Sequence, residues 1–323
     1  MTMRRSAIIG TGSVLPKTRL SNDELAQNYH IDTSDAWIVE RTGIRFRHIA
    51  DSDETTGTLA TEAARRALKN ANVAPEEVGL IIVATTTPDY TLPATAMSVQ
   101  ADLGVGDSIA FDVQAVCSGF LYALSVADSM LRTDSAKVAL VIGAETFTRL
   151  LNWEDRTTCV LFGDGAGAVV LRQTDDVEKG IQTVKLHADG RYKDLLCSDG
   201  GVSTTGTVGK LLMKGREVFR HAVTNLVSVT EEALTASGFS ASQVDWIVPH
   251  QANARILSAT AQKLGVPSEQ VVMTVDRHAN TAAASVPLAL DAAVQDGRIK
   301  SGDLVVLEAM GGGFTWGAAV IRF

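Results

Sequence analysis

Short unbroken runs of branched apolar residues alternate along the chain with segments whose apolar residues recur at helical spacing. The runs are Leu80–Ala84, Ile109–Val113 and Val138–Gly143, and later Trp246–Val248, Val271–Val275 and Leu304–Leu307. Runs this short and this continuous predict strands covered on both faces, as in parallel-type sheets. Between them the pattern predicts amphipathic helices over Thr61–Asn72 and Arg220–Ser237, and small-residue-rich helices over Ser118–Leu131 and Ala282–Val294.

The two sets repeat one another. Ala67, which opens ALKNANVAPEEVGLIIVATT, and Ala233, which opens ALTASGFSASQVDWIVPHQA, stand 166 positions apart (233 − 67). Val78 and Val244, Phe120 and Val286, and Ser135 and Ser301 keep that spacing. Each set closes on a Gly-rich approach to an apolar strand, GAGAVVLR and WGAAVIRF. There the spacing falls to 150 (318 − 168), because the first copy carries extra residues around Phe147–Cys159. Duplication predicts two similar βα halves, residues 1–173 and 174–323, about a pseudo-twofold axis. Functional residues are then expected at equivalent strand ends of both.

Composition narrows the classes. Hydrophobic residues make up 46% of the 323 and charged residues 20%, enough for a full globular core. The 7 prolines form no linker, so the halves are expected to pack as one body. No apolar run approaches the ~20 residues of a membrane span. The N-terminal MTMRRSAIIGTG has neither the long apolar core nor the cleavage site of a signal peptide. The expectation is a soluble cytoplasmic protein with no membrane insertion. A net charge of −8 opposes nonspecific nucleic-acid binding and leaves an anionic small ligand to a local Arg/Lys cluster. The 3 cysteines, Cys117, Cys159 and Cys197, show no C-x-x-C spacing, which argues against a disulfide framework and against a metal site.

Four places carry chemistry. Cys117, in FDVQAVCSGFLYALSVAD, falls where a strand runs into a helix; the positive end of the helix dipole is expected to favour its thiolate. Cys159 and Cys197 lack such an elbow and read as inert. His250, in DWIVPHQANARIL, follows a buried strand directly. Asn280, in DRHANTAAASVP, lies at another strand-to-helix junction, 166 positions after Gln114 (280 − 114). Asn there equally suits a helix cap, and His278 is a rival histidine. Gly311, Gly312 and Gly313 end a strand, where backbone N–H groups can face an oxyanion or simply make a tight turn. GDGAGA at Gly163–Ala168 lacks the G-x-G-x-x-G spacing of a dinucleotide loop, and a strand rather than a helix follows it.

With GTGSVLP, DTSDAWIVERTGIR, FGDGAGA, VPHQAN, DRHANT and GGGFTWG in this order, the chain closely resembles the β-ketoacyl-acyl-carrier-protein synthase III family along essentially its whole length. The resemblance implies a thiolase-like α/β fold, two duplicated halves in a five-layered αβαβα arrangement, and a homodimer. It implies a transferase of fatty acid biosynthesis that condenses an acyl-coenzyme A primer with malonyl-acyl carrier protein and needs no cofactor. Cys117 would take the acyl group. His250 and Asn280 would bind the malonyl thioester carbonyl and promote decarboxylation. The N–H groups of Cys117 and Gly312 would form the oxyanion hole. Trp37, Arg41 and Arg156 match positions that hold the adenine and phosphates of coenzyme A; Gly215, Phe219, Ala252 and Asn253 match the pantetheine tunnel. Lys214, Arg216, Arg220 and Arg255 would form a basic rim for the acidic carrier protein.

The chain departs from that pattern at Val116 and Ser118, where Ala is expected, and at Met310, where an aromatic residue is common. Leu92 replaces the frequent Phe that closes the acyl pocket from the partner subunit, which implies room for more than an acetyl group. Neighbouring classes share parts of the pattern. Elongating synthases pair the Cys with two His, and degradative thiolases place a second Cys in the C-terminal half. Condensing enzymes of secondary metabolism share Cys-His-Asn. An acyl-thioester-binding protein or a hydrolase would not condense at all.

Overall fold

The computed structural model describes residues 4–323. Its first part runs β1 (Arg5–Val14), β2 (Thr18–Ser21), α1 (Asn22–Asn28), α2 (Asp35–Thr42), β3 (Phe46–Ile49), α3 (Thr56–Ala71), β4 (Leu80–Ala84), α4 (Thr95–Leu103), β5 (Ile109–Val113), α5 (Gly119–Arg132), β6 (Val138–Glu145) and β7 (Gly165–Thr174). The second runs β8 (Gly180–Ala188), β9 (Leu196–Ser198), β10 (Leu211–Met213), α6 (Gly215–Ser237), β11 (Trp246–Pro249), α7 (Ala254–Leu264), α8 (Val275–His278), α9 (Ser285–Gln295), β12 (Leu304–Gly311) and β13 (Thr315–Arg322).

The repeat is visible in the sheets. One has the order β1-β7-β6-β4-β5 and the other β8-β13-β12-β11. Val271 adds a single parallel bridge to Ile247 of β11, where the second sheet's fifth strand would lie. The continuous apolar runs β4, β5 and β6 are mutually parallel, as are β11 and β12; β7 and β13 close each set antiparallel.

Apolar packing produces five layers. Phe120, Leu121 and Leu124 of α5 and Val286, Ala289 and Leu290 of α9 are fully buried between the two sheets. α3 and α4 cover the outer face of the first sheet and α6 and α7 that of the second. The middle helices are small-residue-rich because sheet backbone approaches them closely: a Cβ on Gly143 would lie 2.2 Å from the Ala283 carbonyl.

Two expectations need correction. α3 and α6 begin five residues earlier than the apolar periodicity suggested, at Thr56 behind a Thr55 cap and at Gly215. Val271–Val275 is not a strand. The buried Gln251 side chain accepts the N–H groups of Thr274 (2.7 Å) and Val275 (2.9 Å), which ends pairing after one bridge and starts the short helix α8. No helix among the described residues is long and apolar enough to cross a membrane.

Candidate active site

After β5 the chain makes one tight turn, Val116–Ser118, before α5 begins. Val116 takes a positive φ of 49°, a conformation a β-branched residue adopts only when its surroundings impose it. The imposition comes from β12 and β13. The Ser118 and Thr315 hydroxyls each lie 2.9 Å from the Ala115 carbonyl and 2.8 Å from one another. Gly311 presses against the turn, since a Cβ there would lie 2.6 Å from the Cys117 nitrogen. Sheet two thus sets the elbow of a residue that follows sheet one.

Cys117, His250 and Asn280 line one cavity of about 1790 Å³. Cys117 is only 3% exposed. Burial of its thiol, reinforced by the nearby Glu145 charge, pushes its pKa up, and the backbone N–H contribution at the turn is smaller. Desolvation thus opposes the thiolate-stabilising effect expected of the helix start.

His250 directly follows β11, and its N–H donates to the Glu308 carbonyl at 2.7 Å. Burial pulls its pKa down to about 3, so the imidazole is neutral. Its Nδ1 meets no partner among the described residues. The Asn280 Oδ1 accepts the Ala282 N–H at 2.9 Å, which orients the amide and leaves its NH₂ as the group able to donate. Gln251 joins the two loops: besides the contacts above, its NH₂ reaches the Pro249 and Val272 carbonyls at 2.8 and 2.9 Å. His278 is buried too, but it does not line the cavity, which removes it as a rival to His250.

At the cavity mouth the Trp37 ring carries the Arg41 guanidinium at 4.6 Å and that of Arg156 at 5.4 Å. Arg156 also donates to the Asp32 carbonyl at 2.6 Å; it flanks the Trp without lining the cavity itself. Gly215, Phe219, Ala252 and Asn253 line the wall. Asn253 does a second task there, capping α7 through the Arg255 N–H (2.8 Å) and donating to the Arg41 carbonyl (3.1 Å). Lys214, Arg216, Arg220 and Arg255 are all exposed near the start of α6 and α7, with Arg216 and Arg255 on the rim.

Three placements add detail to the sequence reading. Gly311, not Gly312, packs against the Cys117 amide and lines the cavity; Gly312 abuts the Leu196 carbonyl. Leu92 is 80% exposed and lies outside this chain's own cavity. Cys197, read as inert, lies on β9 in the cavity wall, whereas Cys159 is fully buried and does not line it.

Sequence reasoning also passed over Glu145. This fully buried carboxyl ends β6 and accepts from the Thr86 N–H (3.1 Å) and from the Thr86 and Thr87 hydroxyls (2.7 and 2.6 Å). Burial raises its pKa to about 7 against the lowering effect of those bonds. The available signal was a lone acid closing the apolar run VALVIGAE.

A cysteine on a strained turn, a neutral imidazole and an oriented carboxamide, converging from two duplicated halves, define a condensing enzyme of the thiolase fold. Matches to known proteins agree. The 3-oxoacyl-[acyl-carrier-protein] synthase III family model matches residues 111–190 and its C-terminal counterpart residues 234–323. The chain is 68% identical over 321 residues to the beta-ketoacyl-[acyl-carrier-protein] synthase III of Rhizorhabdus wittichii, covering 99% of this chain and 100% of that one. Identity to the Rhizobium meliloti protein of the same name is 57%, again over 99% and 100%. Among solved structures, the 3-oxoacyl-[acyl-carrier-protein] synthase III of Aquifex aeolicus superposes with a TM-score of 0.94 at 47% identity, over 98% and 100% of the two chains. The priming beta-ketosynthase of the R1128 polyketide pathway gives 0.93 at 35%, over 99% and 97%. The chain belongs to the 3-oxoacyl-[acyl-carrier-protein] synthase III family, and it is an acyltransferase.

Proposed function

We propose that the chain joins an acyl-coenzyme A primer to malonyl-acyl carrier protein by decarboxylative Claisen condensation, the first step of type II fatty acid synthesis. The single observation that carries the reading is the convergence of Cys117, His250 and Asn280 on one cavity whose mouth bears Trp37 with two guanidinium groups at its ring.

In the first half-reaction the Cys117 sulfur attacks the thioester carbonyl, and coenzyme A leaves as its thiol with the cysteine's proton. The Cys117 N–H and a glycine N–H at the end of β12 hold the oxyanion. In the second, malonyl-acyl carrier protein loses carbon dioxide and becomes an enolate. Neutral His250 and the Asn280 NH₂ donate hydrogen bonds to the enolate oxygen. A cationic imidazole would be a stronger acid able to quench the carbanion, so the depressed His250 pKa suits the step. The enolate attacks the acyl-cysteine, the β-ketoacyl product leaves on the carrier protein, and the released thiolate takes a proton from solvent. These steps balance without a cofactor.

Lys214, Arg216, Arg220 and Arg255 form the carrier-protein face on an otherwise acidic chain. The chain acts as a cytoplasmic homodimer: β5 is a sheet edge, and Tyr90, Leu92 and Ile109 near it are exposed apolar residues suited to burial by a second copy. Leu92 then reaches the partner's acyl pocket, and its flexible side chain admits primers longer than acetyl.

The test uses radiolabelled acyl-coenzyme A of two to eight carbons with malonyl-acyl carrier protein. Wild type labels Cys117 and forms product; Cys117→Ser does neither. Asn280→Ala keeps the label and loses product. Equal loss of both half-reactions removes the role given to Asn280, and a preference for the acetyl primer removes the role given to Leu92.

A further inference from the structure

Arg47, on β3, is the largest side chain buried completely, and it forms no ion pair among the described residues. Its Nη2 donates to the Val160 carbonyl at 3.0 Å, while Nε and Nη1 meet no partner there. Burial lowers its pKa to about 10, opposed by the Cys159 thiol and Asp35. Burying a cation so sparsely bonded is costly, and an apolar side chain would fill the same space at less cost. What Arg47 touches gives the reason.

Val160 belongs to the single turn Cys159–Leu161, and Val160, Leu161 and Phe162 all line the catalytic cavity. That segment carries Asn280. The Asn280 N–H donates to the Leu161 carbonyl at 2.9 Å, and the Gly163 N–H donates to the Asn280 carbonyl at 3.0 Å. On its other side the segment is tied to β3, where the Asp164 N–H reaches the His48 carbonyl at 2.9 Å. A Cβ on Gly163 would lie 3.0 Å from the His278 carbonyl, 3.2 Å from the Arg47 Cβ and 3.3 Å from the His48 carbonyl, so the three segments are in direct contact. Backbone bonds fix the far end of the segment. At the near end the Arg47 side chain bonds the Val160 carbonyl.

We infer that Arg47 is a positioning residue for the condensation step: its guanidinium holds the Val160–Phe162 segment, and through it the Asn280 carboxamide. Arg47 touches neither the cavity nor the reacting atoms. The inference rests on the proposed role of Asn280.

The half-reactions are measured separately in Arg47→Met: acylation of Cys117 by acyl-coenzyme A, followed by intact-protein mass spectrometry, and release of carbon dioxide from malonyl-acyl carrier protein. Carbon dioxide release falls roughly tenfold to a hundredfold, because a small misplacement of a donor is enough, while acylation stays near wild type. Arg47→Lys, which keeps a donor for the Val160 carbonyl, recovers most of the loss. Should the Met variant not fold, Arg47→Gln is read in the same way. Arg19→Ala, which removes a cation from the Phe46 ring 3.5 Å away on the same strand pair, changes neither half-reaction. Parallel loss of both half-reactions in the Arg47 variants, or loss of neither, overturns the inference. Asn280→Ala is run alongside. If it retains decarboxylation, the underlying role of Asn280 fails and the inference with it. If it separates the half-reactions and the Arg47 variants do not, the inference alone fails.

Discussion

Gly311→Ala tests the claim that sheet two sets the geometry of the nucleophile. The added Cβ would lie 2.6 Å from the Cys117 nitrogen, 3.1 Å from the Ala115 carbonyl and 3.2 Å from the Ser118 nitrogen, where ordinary contact begins near 3.4 Å. All three atoms are backbone, so no side chain can rotate away. About 0.8 Å must be relieved at the Cys117 amide (3.4 − 2.6). β12 cannot retreat, because Gly311 pairs with Thr315 of β13 and the strand runs parallel to β11. The turn therefore moves, taking the Cys117 N–H and sulfur with it. A displacement of this size costs roughly a hundredfold in the acylation rate, as for other misplaced reacting groups or lost oxyanion donors. The strain lowers stability by about 1–3 kcal/mol. The assay is rapid-quench acylation of Cys117, at a temperature where melting curves show the variant folded. Gly106→Ala is the control, since its Cβ would meet nothing within 4 Å. Wild-type acylation by a folded Gly311→Ala refutes the coupling between the sheets.

Trp37→Ala removes the ring that the Arg41 and Arg156 guanidiniums flank. The KM for acyl-coenzyme A should rise about tenfold, the worth of one lost aromatic contact, with the rate of Cys117 acylation at saturation unchanged; an unaltered KM contradicts the adenine assignment. Glu308 gives a pH test. Burial lifts its pKa from 4.5 to about 7, against one hydrogen bond from Thr230. A raised carboxyl pKa means the native state holds the proton more tightly. Its stabilising contribution is complete below about pH 4.5 and is lost as pH rises through about 7. Glu308→Gln lacks that loss, so its melting temperature relative to wild type should improve between pH 5 and pH 8. His250 and His278 act in the opposite sense but are common to both proteins and cancel; a constant difference across that range would show that Glu308 is ionised throughout.

The sequence alone determined the layered α/β architecture, because its signals are local and repeated. Branched apolar runs favour strands buried on both faces, and the 166-residue spacing places them in two equivalent sets. It also marked Cys117, His250 and Asn280 near the ends of such runs, with His278 and a capping role for Asn280 left open until the family resemblance chose among them. What it could not determine depends on atoms far apart in the chain. The Val271–Val275 run has the composition of a strand, yet one buried side chain, Gln251, takes the N–H groups the ladder would have used. Helix-end electrostatics suggested a thiolate at Cys117, whereas desolvation and the neighbouring Glu145 charge act in the opposite direction. Glu145 closes an apolar run and Arg47 is one of several basic residues in RTGIRFRH, and only tertiary structure shows which backbone each one holds. Patterns along the chain report which surfaces are buried; which polar groups meet inside, and how strongly each is stripped of water, is decided only when the layers close.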